Sequence, residues 1–477
     1  MLEQHHAKAQ HLLAGPDVRR PKQSVLGPAA NPVLGYFPEQ LKFARDPIGY
    51  LTSLYREYGT LSAWTVNKPV MLFSFAPAMN QVLSSADRFD WAPKLVKPSQ
   101  PSALDILSTS MLRMNGEEYK SRRRLVLPAF HQNLVEHWRD RMAALTRQSL
   151  DTWQPGQEIN LHTEMHKLVA AISMSAVFNI EDPARIKKLD GLMYELYFVS
   201  TKLTSRLLPY DLPGTSYRRM HRTAEKVVAL LKEFIRESPG DDSMLAMLVA
   251  SRDEKGEGFD EAELLGEVYH LMNLDNLISV LTWTLLLLAQ HPTVYADTLD
   301  ELESVLHGDD PTLEQLGRLT LLDRVLKESL RLFPPFAIGR RFAIEACQFG
   351  PLELPARCKI FFSQYITHRL PEIYSEPNRF MPQRWETLKP SQYEYLPFGS
   401  GSHYCLGMRF AMLELKVVLA LMIQRYRLEV IPGTRVDRAF RLVMETRRGV
   451  QVRINKQDRK FKRNPITGNI HEMVTLE

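Results

Sequence analysis

The stretch of this sequence with the clearest chemical use is Phe-Gly-Ser-Gly-Ser-His-Tyr-Cys-Leu-Gly at residues 398–407. Gly399 and Gly401 allow a tight turn and a close approach of the backbone to a large flat ligand, which a Cβ would obstruct. Apolar residues recur at helical spacing over residues 406–426, so Cys405 lies at the N-terminus of a predicted helix. Unpaired backbone N–H groups and the helix dipole favour a thiolate there. The pattern therefore predicts a cysteine that binds a metal.

This spacing resembles the haem-binding loop of the cytochrome P450 family, Phe-x-x-Gly-x-(Arg or His)-x-Cys-x-Gly. The fixed positions are occupied by Phe398, Gly401, His403, Cys405 and Gly407. A lone cysteine after a glycine-rich turn is more often structural, but five matches at fixed spacing favour the haem loop. The resemblance implies haem b, with its iron bound by the Cys405 thiolate. Such ligation pushes electron density onto the iron and favours O–O bond cleavage.

Composition limits the class of protein. Apolar residues make up 44% of the 477 residues, enough for an extensive core in one large fold or in several domains. Lys and Arg total 60 against 55 for Asp and Glu, so the charge balance gives no indication of nucleic-acid binding. Three cysteines, Cys347, Cys358 and Cys405, cannot all pair, which fits a reducing compartment.

Two regions bear on membrane insertion. The proline-rich first forty residues contain no apolar run near the roughly twenty residues that span a bilayer. The most apolar segment, residues 264–290, includes Glu267, His270 and Asp275, which would be costly in lipid. This segment is therefore predicted to be a long helix through a protein core. We expect a soluble, cytoplasmic protein with no membrane span, and a monomer.

Helical periodicity dominates the chain, and short strand-like runs are few, so the predicted fold is mainly α with a small β part. The resemblance extends over residues 35–455 and implies the cytochrome P450 fold, a helical domain with small β-sheets that encloses haem between the long helix and the Cys405 loop. Residues 1–34 are expected to form a flexible N-terminal segment, and residues 456–477 a solvated basic tail. The predicted helices are 47–58, 116–125, 134–154, 186–202, 216–237, 261–290, 322–333 and the segment after Cys405; the predicted strands are 61–65, 70–75, 342–343, 359–362 and 450–454.

Glu328 and Arg331 are three residues apart, so on a helix they share a face. At a surface such a pair would have little effect on stability. The pair resembles the Glu-x-x-Arg helix of the family, and Arg384 in Met-Pro-Gln-Arg-Trp resembles its partner arginine. The resemblance implies a buried structural ionic cluster of Glu328, Arg331 and Arg384.

The two haem propionates require cations and hydrogen-bond donors. The helix from Tyr119 to Arg123 resembles the family's Trp-x-x-x-Arg helix, with Tyr in place of Trp. The resemblance implies that Tyr119, Arg123, Arg341 and His403 contact the propionates, with Arg340 as an alternative to Arg341. The neighbouring cations, Lys120, Arg122 and Arg124, form either a solvated basic face or a docking surface for an acidic electron donor.

The central helix departs from the family pattern. Residues 281–292 resemble the end of this helix in the family and so fix the alignment of the chain with the family pattern. Counting back places Met-Asn-Leu-Asp-Asn at residues 272–276, where the family has Ala-Gly-x-(Asp or Glu)-Thr. Asp275 keeps the acid, but Asn276 replaces the alcohol that helps to deliver protons. Asn273 and Asn276 could hold a water or orient a substrate, or they could bond to each other or to the backbone. We assign Asp275, Asn276 and Asn273 as candidate catalytic residues.

The resemblance implies a haem-thiolate monooxygenase that oxidises a hydrophobic or aromatic small molecule. A ferredoxin or flavoprotein would supply electrons, because the remaining chain has no room for such a domain. An atypical enzyme that performs oxidative coupling, peroxide-dependent oxidation, or rearrangement or dehydration is the alternative, and a non-enzymatic haem sensor is a third possibility. Residues 91–112, 194–217 and 336–338 are the candidate substrate contacts.

Overall fold

The structure is a computed structural model, and it describes residues 27–66, 68–85, 88–91, 101–130, 135–202, 204–205, 208, 210–237, 242–272 and 275–476. The chain divides into two compact units. Unit 1 comprises Met1–Pro93, Phe336–Asn378 and Thr387–Cys405, and unit 2 comprises Lys94–Pro335, Arg379–Glu386 and Leu406–Glu477.

Unit 1 is built on a five-stranded sheet. Its strand order is β1 (Leu61–Val66), β2 (Lys68–Ser74), β8 (Lys359–Phe362), β5 (Gly339–Ala343) and β3 (Phe89–Asp90), and among the described pairs only β2 and β8 run parallel. Burial alternates along β5 and β8, as expected for a sheet with one face on a core, whereas residues 62–64 of β1 and 72–74 of β2 are buried at every position. The elements of unit 1 are α1 (Phe37–Arg45), α2 (Pro47–Tyr58), β1 (Leu61–Val66), β2 (Lys68–Ser74), α3 (Pro77–Leu83), β3 (Phe89–Asp90), β5 (Gly339–Ala343), β6 (Cys347–Phe349), β7 (Leu352–Leu354), β8 (Lys359–Phe362) and α16 (Gln364–Thr367).

Unit 2 is mainly helical. It also has a three-stranded sheet in the order β4 (Glu158–Asn160), β12 (Gln451–Lys456) and β9 (Tyr426–Val430), and a hairpin of β10 (Arg438–Phe440) and β11 (Met444–Thr446). Its helices are α4 (Ala103–Leu107), α5 (Gly116–Val126), α6 (Val135–Asp151), α7 (Leu161–Phe178), α8 (Pro183–Thr201), α9 (Ser216–Glu237), α10 (Met244–Ala250), α11 (Glu261–Leu271), α12 (Asp275–Gln290), α13 (Pro292–Leu306), α14 (Leu313–Arg318), α15 (Thr320–Leu332) and α17 (Met408–Arg425). Its strands are β4 (Glu158–Asn160), β9 (Tyr426–Val430), β10 (Arg438–Phe440), β11 (Met444–Thr446) and β12 (Gln451–Lys456).

The sequence prediction agrees with the structure for α9 and fails for α7 and α13. In α9 the buried residues Ala224, Val227 and Leu231 recur at helical spacing, and the helix has the predicted bounds. In α7 the second half is buried on nearly every side. A helix half without a polar face gives no periodic signal, which accounts for α7. The buried residues of α13 do recur at helical spacing, so its absence from the prediction has no such reason.

The long apolar segment is represented by α11 and α12; residues 273 and 274 between them lie outside the described residues. Within the described part of the chain, Glu261–Gln290 is apolar and long enough by composition to cross a membrane, but 80% of its most apolar window is buried in protein. That burial agrees with the core helix predicted from its polar residues.

The expectation of a solvated basic tail after residue 455 is wrong for most of this segment. Ile466, Ile470 and Met473 are buried, so the segment packs against unit 2. Its basic residues bind acids: Arg459 pairs with Asp300 and Glu303, and Lys462 with Glu429. We call residues 464–474 the C-terminal strap. The spacing of its apolar residues is too irregular to have revealed this packing from sequence.

Candidate functional site

The Cys405 loop, residues 398–405, turns at two glycines with left-handed backbone. The φ angle is +75° at Gly399 and +70° at Gly401, where residues with a Cβ are strained. A Cβ on Gly401 would also lie 2.8 Å from the Cβ of Ser84. Glycine at position 401 is therefore required by both conformation and space.

The backbone around the loop holds Cys405 and starts the next helix. The Cys405 N–H donates a hydrogen bond of 2.9 Å to the carbonyl of Phe398, and the cysteine side chain is exposed. Gly407 is the N-cap of α17, which begins at Met408. A Cβ on Gly407 would lie 3.2 Å from the ring of Phe130, tighter than an ordinary contact. The sulfur is thus accessible to a ligand, and a helix starts three residues later.

Arg341 and His403 both contact the indole ring of Trp91. The Arg341 guanidinium carbon lies 4.2 Å from the ring centroid, and the imidazole stacks at 4.9 Å with an angle of 12° between planes. Arg341 is 4% exposed and donates to the carbonyls of Leu83 and Arg340. No carboxylate partner for it is found among the described residues, and burial lowers the pKa of Arg341 to about 9. A buried guanidinium of this kind fits an anionic group of a ligand.

Arg340, the alternative to Arg341, occupies a different environment. Arg340 is exposed, and its guanidinium carbon lies 5.8 Å from the centroid of the Phe342 ring. A solvated cation has less to gain from a buried anionic ligand. The geometry favours Arg341.

Tyr119 and Arg123 lie one turn apart on α5 and contact each other. Arg123 Nη1 donates a hydrogen bond of 2.8 Å to the Tyr119 hydroxyl oxygen, and Tyr119 is buried. No carboxylate partner of Arg123 is found in the described part of unit 2. Arg123 is therefore held by a neutral group and keeps donors for an anion.

The three remaining cations of α5 do not form one solvated face. Arg122 is buried, forms an ion pair with Glu263 and lies over the ring of Phe259, so the expectation of a solvated or docking role is wrong for this residue. Lys120 pairs with Glu117, and Arg124 pairs with Glu254; these four side chains are exposed. Helical position alone did not reveal the acid that neutralises Arg122.

The structure brings Glu328, Arg331 and Arg384 into one cluster in unit 2. Arg331 donates Nε and Nη2 to the two carboxylate oxygens of Glu328 at 2.9 and 2.8 Å, and Arg384 donates Nε to Oε1 at 2.9 Å. The backbone N–H of Met381 and the indole N–H of Trp385 complete the shell at 3.1 and 2.9 Å. Burial alone would raise the pKa of Glu328, but the two arginines hold it below its usual value.

Only part of the candidate catalytic segment of the central helix lies within the described residues. Asn273 and the side chain of Asp275 lie outside the described residues. Asn276 is half-buried in the first turn of α12, and its Oδ1 is buried without a hydrogen-bond partner among the described residues. An unpaired carboxamide oxygen is suited to bind a water or a ligand hydroxyl.

Glu267 lies in α11 and is one of the polar residues of the long apolar segment. It is 1% exposed and accepts a hydrogen bond of 2.7 Å from the backbone N–H of Met111. Burial raises the pKa of Glu267 to about 7, although Arg122 nearby opposes this shift. Next to it, a Cβ on Gly266 would lie 2.1 Å from the carbonyl oxygen of Thr109. These two contacts fix part of candidate substrate segment 91–112 on α11; residues 92–100 of it lie outside the described residues.

The comparison with known families decides the identity. The sequence model for cytochrome P450 matches residues 25–453, which is most of the chain. The chain belongs to the cytochrome P450 family. The matched region includes the Cys405 loop, the ionic cluster and both halves of the central helix.

Curated P450 relatives extend over nearly the same length. Cyclooctat-9-en-7-ol 5-monooxygenase of Streptomyces melanosporofaciens is 29% identical over 431 residues, 87% of this chain and 92% of that protein. Pentalenene oxygenase of Streptomyces avermitilis is 27% identical and covers 86% of this chain and 92% of that protein. The solved structure of retinoic acid bound cyanobacterial CYP120A1 superposes with a TM-score of 0.76 at 24% identity, covering 88% of this chain and 96% of that one.

These matches confirm the predicted fold and class. The protein has the mainly α P450 fold, and it is a haem-thiolate oxidoreductase of the monooxygenase type, with haem iron bound through a cysteine. P450 enzymes generally act on small organic substrates with electrons from redox partners. The expectation of a non-enzymatic sensor is dropped, because the named relatives are enzymes.

Proposed function

We propose that this P450 hydroxylates a hydrophobic terpenoid with electrons from a separate ferredoxin or flavoprotein. The observation that carries the proposal is the pair of full-length relatives named for oxidising cyclooctat-9-en-7-ol and pentalenene. Candidate substrate segment 194–217 also exposes large apolar side chains, which suit an apolar ligand. These side chains are Tyr194, Phe198, Leu208, Tyr210 and Leu212.

The residues of each unit fit a haem. In unit 1, Cys405 would supply the thiolate, and buried Arg341 with His403 would bind a propionate. In unit 2, Arg123, held by Tyr119, would bind a propionate as well. The absence of an acid partner for Arg341 and Arg123 among the described residues supports this assignment. Thiolate-bound haem supplies reductive activation of dioxygen.

The protein is proposed to be a cytoplasmic monomer without a membrane span. The apolar central segment is mostly buried in protein, which supports the last point. Lys120 and Arg124 remain the candidate contacts for an acidic electron donor, since both are exposed. Glu117 and Glu254, the exposed acids that pair with them, would be replaced by acidic side chains of the electron donor at little cost in free energy.

A second candidate function follows from Asn276. A carboxamide relays protons less readily than a hydroxyl, which favours an atypical reaction such as peroxide-dependent oxidation, oxidative coupling or rearrangement. The unpaired Oδ1 of Asn276 would then orient the substrate. Hydroxylation remains the first proposal because the named relatives are an oxygenase and a monooxygenase.

Isotope labelling separates these reactions. The purified enzyme is screened with terpenoid hydrocarbons and alcohols for ligand-induced shifts of the haem absorption band, and each binder is then incubated with a ferredoxin system under ¹⁸O₂. Hydroxylation places one ¹⁸O atom in the product, whereas coupling and rearrangement place none. Product formed without label, or product formed with added peroxide but not with dioxygen and the ferredoxin system, would favour the second candidate.

Replacing Cys405 tests the ligand assignment. We expect Cys405→Ser to abolish the absorption band of the reduced carbon monoxide complex that is characteristic of thiolate-bound haem. Cys358→Ser and Cys347→Ser serve as matched controls and should keep the band. Retention of the band in Cys405→Ser would contradict the assignment.

Replacing Asn276 tests the catalytic assignment. If hydroxylation is the native reaction, Asn276→Thr should increase oxygen-driven product formation and reduce peroxide release, because a hydroxyl relays protons better. If the carboxamide positions the substrate, the same change should lower activity, and Asn276→Ala should weaken substrate binding. Unchanged coupling in both variants would place Asn276 away from the reaction.

A further inference from the structure

Two aromatic rings of unit 1 contact the buried guanidinium of Arg341, and the first belongs to Trp91. Strands β3 and β5 pair antiparallel, with Asp90 opposite Phe342. Continuing this register by one residue places Trp91 opposite Arg341, and the guanidinium carbon lies 4.2 Å from the centroid of the indole ring. The contact is therefore a cross-strand pair, whose geometry is set by the sheet.

The second ring belongs to Phe362 on the neighbouring strand β8. Ile360 lies opposite Arg341 in the register of β5 and β8, so Phe362, two residues further along, is a diagonal neighbour of Arg341 on the same face. The guanidinium carbon lies 5.1 Å from the centroid of the Phe362 ring. A Cβ on Gly339, which lies opposite Phe362, would approach Cζ of that ring to 2.2 Å. Glycine at position 339 therefore gives the ring its space.

These contacts leave Arg341 with hydrogen-bond donors for a ligand. Its Nε donates to the carbonyl of Leu83 at 3.1 Å, and its Nη1 donates to the carbonyl of Arg340 at 2.9 Å. A guanidinium has five N–H groups, so three of them have no acceptor in the part of the chain that the structure describes. Aromatic faces attract a cation without accepting these N–H groups as a carboxylate would. The rings thus offset part of the cost of burying the charge and leave the donors available.

The indole of Trp91 also contacts the Cys405 loop. The imidazole of His403 stacks on it, with 4.9 Å between ring centroids and an angle of 12° between planes. The loop has a second attachment, because the hydroxyl oxygens of Ser84 and Ser400 lie 2.8 Å apart. Trp91 therefore contacts both unit 1 side chains that are assigned to a propionate, while the position of the loop does not depend on this ring alone.

We propose that Trp91 is a positioning residue that preorganises Arg341 and His403 for the anionic edge of the haem. Its ring face stabilises the guanidinium, and the stacking contact fixes the plane of the imidazole. Neither side chain then has to be ordered when the cofactor binds, which strengthens binding. Tryptophan is the aromatic residue that attracts a cation most strongly. The inference rests on the proposed assignment of Arg341 and His403 to a propionate.

The test measures the rate at which haem passes from the purified, haem-loaded enzyme to an excess of apomyoglobin. In Trp91→Leu, which removes the ring, this rate should rise about tenfold, or about 1.4 kcal/mol, within the range of a cation–π contact and a stacked pair. Trp91→Phe keeps a weaker ring and should limit the rise to about threefold.

Two spectroscopic measurements separate positioning from a general loss of structure. The reduction potential of the haem iron should become more negative in Trp91→Leu, because a less ordered Arg341 neutralises less propionate charge, and Trp91→Phe should restore most of the shift. The reduced carbon monoxide complex should keep its thiolate band in both variants, since the contact between Ser84 and Ser400 still holds the loop.

Phe342→Leu is the matched control. It removes from the same sheet a ring that contacts the exposed Arg340, and the haem should transfer at the wild-type rate. Arg341→Gln shows whether Trp91 acts through the guanidinium: when it is combined with Trp91→Leu, the rise in rate should be smaller than the product of the two single effects. None of these measurements needs a substrate, so they remain valid if the terpenoid proposal fails.

Two outcomes would overturn the proposal. One is single effects that multiply in full in the double variant, because Trp91 would then act independently of Arg341. The other is wild-type haem transfer in Trp91→Leu. If Arg341→Gln alone transfers haem faster, the propionate assignment stands and only the role of Trp91 fails; if neither variant differs from the wild type, both assignments fail.

Discussion

Two glutamates of unit 2, Glu328 and Glu414, are completely buried but have opposite surroundings. Glu328 on α15 accepts hydrogen bonds from two arginines, an indole N–H and a backbone N–H, and its pKa is held below the usual value. Glu414 on α17 has no partner for either carboxylate oxygen among the described residues, and burial raises its pKa to about 8. Equal burial therefore gives a charged carboxylate in one helix and a neutral carboxylic acid at pH 7 in the other.

Glu267 lies between these extremes. It is as buried as the other two, but it has one backbone donor, and its pKa of about 7 lies between theirs. For these three buried glutamates, the number and charge of the hydrogen-bond donors to the carboxylate decide whether it is ionised.

The largest effect is expected for Arg331→Ala. The change leaves the Glu328 carboxylate with Arg384 but removes two of its charged hydrogen bonds, and breaking a buried ion pair costs about 3–5 kcal/mol. This is a large part of a typical unfolding free energy of about 5–15 kcal/mol. The variant should yield aggregated or haem-free protein, measured by the haem absorbance per mole of purified protein.

Arg324→Ala is the matched control for that measurement. Arg324 lies on the same helix and pairs with Glu386 near the surface, where a pair contributes about 0–1 kcal/mol. This variant should be recovered with normal haem content. Stable, haem-loaded Arg331→Ala would mean that the cluster is not needed for folding.

A pH-dependent gain in stability is expected for Glu414→Gln. The pKa of this carboxyl is about 4.5 in the unfolded chain and about 8 in the folded one, so the folded state binds the proton more tightly. Wild-type stability should therefore fall between pH 4.5 and pH 8 by up to about 1.4 kcal/mol per pH unit from this group. The amide does not titrate, so the denaturant midpoint of the variant should rise relative to the wild type as the pH increases. Parallel midpoints from pH 5 to pH 8 would show that Glu414 has an ionic partner.

Glu267→Gln should alter the pH dependence of stability less than Glu414→Gln does. The folded pKa is about 7, so the loss of stability in the wild type begins near pH 4.5 and ends near pH 7. Glu267→Gln keeps an oxygen acceptor for the Met111 N–H and removes this slope. Denaturant midpoints at pH 5, 7 and 8 distinguish the two sites, because the difference for Glu267 should stop growing by pH 7.

The smallest effect is expected for Trp385→Phe. The change removes one neutral donor from Glu328 and leaves both arginines and the Met381 N–H in place. A hydrogen bond to a charged group contributes about 1.5 kcal/mol at the low end of its usual range. The variant should bind haem normally and unfold at slightly lower denaturant concentration. Loss of haem in Trp385→Phe would show that the indole has a larger role than one hydrogen bond.

Local patterns explain what could be predicted from the sequence. The spacing of Glu328 and Arg331 places them on one helical face, but Arg384 could be added only through the family resemblance, since 53 residues separate it from Arg331. Strongly amphipathic α9 was predicted with correct bounds because its buried face is periodic.

Long-range packing explains what was missed. Trp91 became part of the site only because folding places its ring against Arg341 and His403. Glu414 was overlooked because its lack of partners depends on every element around α17 and not on its own sequence.

The C-terminal strap has a consequence for the order of protein synthesis. Asn464 donates hydrogen bonds to the Glu429 carboxylate and to the Val430 carbonyl, and Val474 at the far end of the strap is buried. Strand β9 therefore depends on residues that leave the ribosome after it. A nascent chain that already contains strand β9 still lacks this support until residue 474 emerges. Premature termination between β9 and residue 474 would thus release a polypeptide that chaperones and proteases recognise as incompletely folded.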